Sequence, residues 1–128
     1  MKESSFKLPE ISRKEYLRWL LRKRRRFKVT GLSMFPVLKP GDEVLIDPKA
    51  YYISQPEVGD IVVACHPARI DYKIIKRIAS LLPDGALNLQ GENPFESTDF
   101  NRVPASKIIG KVTSMFFSEE EKQKANST

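Results

Sequence analysis

Apolar residues recur along this chain at two different spacings. Over residues 13–26, Tyr16, Leu17, Trp19, Leu20 and Leu21 gather on one side of a helical wheel, and Lys14, Arg18, Arg22, Arg25 and Arg26 on the other. Phe27 extends the apolar side. Ser12-Arg13-Lys14-Glu15 fits a capping box, with Ser12 as N-cap and Glu15 three positions on. The spacing predicts a basic amphipathic helix over 13–26, preceded by a loose arm over 1–11. Beyond the helix, short apolar runs separated by turn residues predict strands at 27–30, 43–47, 61–65, 72–82, 86–90 and 108–117. Pro40-Gly41-Asp42 and Pro83-Asp84-Gly85 read as turns, residues 48–59 as a polar loop, and residues 91–104 as an irregular loop. Residues 118–128 read as a polar, frayed tail. There is no internal repeat and no phosphate-cradling glycine loop. Many short strands with one helix predict a mainly β domain, either a folded sheet or a partly open barrel. The expected organisation is an arm and basic helix over 1–28, a β domain over 29–117 and the tail over 118–128.

Composition narrows this picture without changing it. A chain of 128 residues, 41% hydrophobic and 30% charged, is long enough for one core. The net charge of +6 suggests an anionic partner, but it is local: residues 13–28 hold nine Lys or Arg against Glu15. That segment carries +8, leaving −2 for everything else. Three roles fit it: a helix docked on its own domain with a solvated basic face, a membrane-surface anchor, or a nucleic-acid contact. The expectation kept is peripheral membrane contact through 13–28, with no nucleic-acid partner. Cys65 is the only cysteine, which excludes an internal disulfide and suits a reducing compartment. No window reaches the roughly 18 apolar residues of a membrane span, and the N-terminus has no secretory-signal pattern. The expected location is the cytoplasm, with a peripheral position at the inner membrane surface as its variant.

Candidate chemistry centres on Ser33, in Thr30-Gly31-Leu32-Ser33-Met34-Phe35-Pro36. A serine hydroxyl is a poor nucleophile until a base removes its proton. His66 is the single histidine, at the end of a predicted strand beside Cys65; neighbours on a strand point to opposite faces, so those two do not act as a pair. His66 stays open as a base for Ser33, and no second pair of ligands accompanies Cys65 and His66 for a metal. A lysine base must be desolvated, because its usual pKa is about 10.4. In Tyr72-Lys73-Ile74-Ile75-Lys76-Arg77-Ile78-Ala79, Lys76 shares a strand face with Ile74 and Ile78, whereas Lys73 shares the other with Arg77. If the Lys76 face is buried, a depression of about three pKa units, or about 4 kcal/mol, is within reach. A lysine snorkelling from a strand edge is the other reading.

Several boxes together resemble a known family. Gly31-Leu32-Ser33-Met34-Phe35-Pro36 resembles the nucleophile box of the signal peptidase I and LexA-type serine–lysine peptidases, and Lys76-Arg77-Ile78 resembles their general-base box. Gly91-Glu92-Asn93, opening a loop with Ser97 and Asp99, resembles a third box. Pro40-Gly41-Asp42 and Val58-Gly59-Asp60 match connecting turns, so the resemblance runs in order from Thr30 to Met115. Asn93-Pro94-Phe95-Glu96-Ser97-Thr98-Asp99 looks most like the nickel-type superoxide dismutase maturation proteases, small relatives that remove a leader from the dismutase precursor.

The resemblance implies a LexA- or signal-peptidase-like folded sheet and a serine endopeptidase with a Ser33/Lys76 dyad. It also implies that the Ser33 N–H helps hold the oxyanion and that Ser97 orients the lysine amine. Asp99 would brace the loop through Arg77 or Arg102. Met34 is expected beneath the nucleophile or in the substrate groove, and Ile74 in that groove. No cofactor or metal is expected, since nickel belongs to the substrate. The alternatives are processing of secretory preproteins at the membrane surface and LexA-like self-cleavage. Three positions depart from the pattern. Glu92 stands where Asp is usual, Phe100-Asn101-Arg102 replaces Ser-Arg after Asp99, and Gly31 stands where some relatives keep a second hydroxyl.

Overall fold

The computed structural model describes residues 8–96 and 98–117. Seven strands form one open, antiparallel sheet: β1 (Arg25–Lys28), β2 (Glu43–Asp47), β3 (Ile61–Cys65), β4 (Lys73–Leu81), β5 (Leu87–Gln90), β6 (Phe100–Val103) and β7 (Ile108–Phe117). Their order is β1-β2-β7-β3-β4-β5-β6. Helices are few: α1 (Arg13–Leu20), α2 (Ala50–Ile53) and a 3-10 turn at Ala105–Lys107. The mainly β fold is therefore as the sequence predicts.

The sheet carries apolar residues on both faces because its central strands alternate between two clusters. On β3, Ile61 and Val63 join Val29, Met34, Leu38, Val44, Ile46, Ile75 and Val112. Val62 and Ala64 join Ile74, Ile78, Leu87, Leu89 and Val103 on the opposite side. A strand buried on both faces reads as a continuous apolar run, which is what Ile61–Cys65 is. Register shifts break the ladders of β2 with β7, β3 with β7, β4 with β5 and β5 with β6. Bulges of this kind raise the local twist of a sheet.

The basic helix is shorter than its predicted span. Ser12 caps it as expected, its Oγ accepting from the Glu15 N–H at 3.1 Å. The helix stops at Leu20, and Arg22 takes a positive φ of 64°. Residues 25–28 are instead extended and pair with 43–46, Arg25 opposite Ile46 and Lys28 opposite Glu43. Pairing with β2 satisfies their backbone groups in a way that a lone, highly charged helical turn does not. The Glu15 carboxylate also departs from the capping-box role. It turns into the body of the protein, where Thr113 Oγ1, Ser114 Oγ (3.0 Å), Arg18 (3.1 Å) and Arg24 (2.9 Å) all donate to it. The part of the predicted arm that is described is docked rather than loose: Leu8 packs on the core and the Met115 N–H donates to the Pro9 carbonyl at 2.9 Å. Residues 1–7 and the predicted tail over 118–128 lie outside the described residues.

Candidate active site

The segment that carries Ser33 is a closed loop. At its base the Val29 N–H donates to the Asp42 carbonyl and the Gly41 N–H to the Val29 carbonyl, both at 2.8 Å. The predicted turn at Pro40-Gly41-Asp42 is present, with Gly41 at φ 95°, a conformation that favours glycine. Met34 and Leu38 are the loop's anchors, both fully buried. Met34 thus belongs to the core; being sealed from solvent, it is not a groove residue, which corrects that expectation. Because Met34 is fixed, its neighbour Ser33 is held at the surface of the loop, half-buried.

A second segment clamps this loop from far along the chain. The Ser33 carbonyl accepts from the backbone N–H groups of Glu92 (2.7 Å) and Asn93 (2.9 Å), and Asn93 Nδ2 donates to the Leu32 carbonyl at 3.0 Å. Glu92 is itself tied to β4: Arg77 Nε donates to its carboxylate at 2.7 Å while Arg77 Nη1 donates to the Gly59 carbonyl at 2.7 Å. The residue beside Lys76 is therefore linked through Glu92 to the backbone of Ser33. This explains physically why Lys-Arg and Gly-Glu-Asn belong together: Arg77 sits opposite Gln90 in the β4–β5 hairpin, two positions short of Glu92.

Lys76 lies at the middle of β4, opposite Val62 of β3, with Ile74 and Ile78 on the same face. The residue is 4% exposed. Burial pushes its pKa below the usual lysine range, and the Asp99 carboxylate acts, more weakly, in the opposite direction. The strand-face reading of the sequence, with Lys76 buried and Lys73 exposed, is therefore what the structure shows.

Ser33 and Lys76 line one cleft of about 340 Å³, together with Thr30, Gly31, Leu32, Ile74, Ile75, Thr98 and Phe100. Ile74, expected in a substrate groove, lines this cleft. Phe100, at the start of β6, was not singled out by the sequence as a site residue; its ring centroid lies 5.6 Å from Lys76 Nζ. The His66 ring stands edge-on to Phe100 at 5.0 Å. His66 also lines the cleft, but its Nδ1 accepts from the Ala68 N–H at 3.0 Å, so that nitrogen serves the local turn. Arg102, offered as a brace for Asp99, reaches Asp84 instead at 2.5 Å, and Arg77 serves Glu92. Ser97 lies outside the described residues. Gly31 has open space around it, with no atom within 4 Å of where a Cβ would stand.

A buried lysine whose burial favours the neutral amine, and a serine on the wall of the same cleft, are side chains of the types that a base and a nucleophile require. Neither the curated proteins nor the solved structures yield a match to this chain. The family model of signal peptidase, peptidase S26, matches residues 20–86, which include Ser33 and Lys76 and span just over half of the chain. The chain belongs to the S26 signal peptidase family, a family of serine peptidases.

Proposed function

We propose that this chain is a serine endopeptidase working through a Ser33/Lys76 dyad, which removes a short N-terminal leader from a precursor protein. The observation that carries the reading is the burial of Lys76 on a cleft wall that it shares with Ser33. The neutral amine of Lys76 accepts the Ser33 Oγ proton as the oxygen attacks the scissile carbonyl carbon. The Ser33 N–H helps stabilise the resulting oxyanion. Collapse breaks the C–N bond, the leaving amine takes the proton from the Lys76 ammonium, and the acyl group stays on Ser33. Lys76 then deprotonates a water molecule, which attacks the ester and frees the enzyme. Family resemblance supports a role for the Ser97 hydroxyl in orienting the amine. Substrate enters as an extended strand along the cleft, past Ile74.

The substrate named by this proposal is the precursor of a nickel-type superoxide dismutase, in the cytoplasm; its support is the resemblance of Asn93–Asp99 to the proteases that mature such precursors. All proton-transfer and oxyanion roles are filled by protein groups, and nickel belongs to the substrate. The test is leader removal by purified protein. Ser33→Ala and Lys76→Ala should each lower kcat/KM by about a thousandfold or more while leaving circular dichroism unchanged. Cleavage retained by Lys76→Ala would replace the lysine with His66. Preference for a secretory preprotein over the dismutase precursor would replace the substrate and leave the dyad standing.

A further inference from the structure

α1 is mounted with its carboxylate inside and its leucines outside. Glu15 is buried, 8% exposed, and Trp19, one turn later, packs on Phe116 with ring centroids 4.7 Å apart. These two positions face β7. On the outward side, Tyr16, Leu17, Leu20 and Leu21 are 48%, 55%, 55% and 60% exposed. An amphipathic helix that docks on its own domain hides its leucines and shows its carboxylates to water. Here the four donors on Glu15 fix the reverse orientation. Cations bracket the apolar strip: Arg13 and Lys14 at its start, Arg18 beside it, Arg22 and Lys23 in the turn that ends it. All five are exposed.

We infer that the outward face of α1 is a docking surface for an anionic lipid bilayer, lying in the headgroup region without crossing it. Leucines flanked by Lys and Arg, with a tyrosine at the edge, have the chemistry of an interfacial helix: apolar atoms enter the acyl boundary and the long cationic side chains reach back to phosphate. No helix of the described residues is long and apolar enough to cross a membrane. A second copy of the chain is a poor occupant, because face-to-face pairing would bring like-charged clusters together. A lipid surface supplies apolar volume and negative charge at once. This inference is independent of the peptidase reading, since it uses none of the cleft residues.

The test is co-sedimentation of the full chain with vesicles of phosphatidylglycerol and phosphatidylcholine, against phosphatidylcholine alone. Binding is expected only to the anionic vesicles, and release is expected at high salt. Combined Leu17→Ser, Leu20→Ser and Leu21→Ser changes should weaken partitioning by about tenfold or more. Lys14→Gln and Lys23→Gln should each weaken it by roughly fivefold. A Leu20→Trp change in a Trp19→Phe background puts a single tryptophan on the outward face, where doxyl-labelled lipid should quench it. No binding to anionic vesicles, equal binding to neutral ones, binding without quenching of the tryptophan at position 20, or binding untouched by the serine changes would each overturn the inference. So would a solution dimer that the serine changes dissociate.

Discussion

Glu15 and Lys76 are both charged side chains inside the protein, and they are buried in opposite ways. Burial alone would raise the pKa of Glu15, but hydrogen bonds from Thr113, Arg18 and Ser114 and the charge of Arg24 outweigh it, so its carboxyl is held below the usual range. At Lys76 burial dominates, and the Asp99 charge only moderates it. The first arrangement keeps an ion ionised and uses it as a fastener between α1 and β7. The second favours loss of the charge, which is what the proposed base role needs. Burial by itself is neutral as a sign of function; what decides is whether the surroundings compensate the ionised form.

The contrast can be broken by mutation. The largest effect on stability is expected from Glu15→Ala, which leaves Arg24 and two hydroxyls facing a lost partner and should cost about 3 kcal/mol in urea unfolding. Because the folded-state pKa of Glu15 is lowered, its contribution is complete above its unfolded pKa of about 4.3 and disappears as pH falls through the folded value; the deficit of the variant should shrink in acid accordingly. Lys76→Met should do the reverse and raise stability by about 1 kcal/mol or more at pH 7. The unfolded chain binds more protons than the native one between the two lysine pKa values. Wild-type stability therefore rises with pH across that window, and the advantage of Lys76→Met should fade as pH nears about 10.4. A destabilised Lys76→Met protein would show that the charged amine is compensated after all.

A smaller effect sharpens the same comparison. Asp99→Asn removes a charge that opposes the shift of Lys76, so the acid limb of kcat/KM should move to lower pH by under about one unit. Asp99 is exposed, so salt should mimic the substitution in part. An acid limb that stays in place would mean that Lys76 is not the group titrating in the rate.

Much of this was legible in the residues. Strands β2, β3 and β7 have the predicted ends because apolar runs meet turn residues there, and β4 and β5 are within a residue or so. The burial of Lys76 followed from Ile74 and Ile78 on a common face. The misses share one cause, backbone conformations that depend on distant partners. β1 is polar and mostly exposed, so only its pairing with β2 makes it a strand. β6 lies in what reads as an irregular loop because Arg102 adopts a positive φ of 56° inside it. Phe100 reached the cleft unannounced, since that strand carries it there. The clamp on the Ser33 carbonyl itself uses the backbone N–H groups of Glu92 and Asn93, which any residue except proline would supply; only its supports, Asn93 Nδ2 on Leu32 and Arg77 on Glu92, are written in side chains.

The place of β7 has a consequence for how the protein comes into being. Among the described residues it is the last strand in chain order, yet it lies between β2 and β3 in the middle of the sheet. Without β7 the sheet falls into two halves with no strand pairing between them, β1-β2 and β3-β4-β5-β6, each with a raw edge. Closing the gap needs contacts far apart in sequence, which makes for slow folding. The hydroxyl and the amine therefore come from different halves, Ser33 following β1 and Lys76 sitting on β4. Until β7 is in place, no strand pairing joins the half that carries Ser33 to the half that carries Lys76.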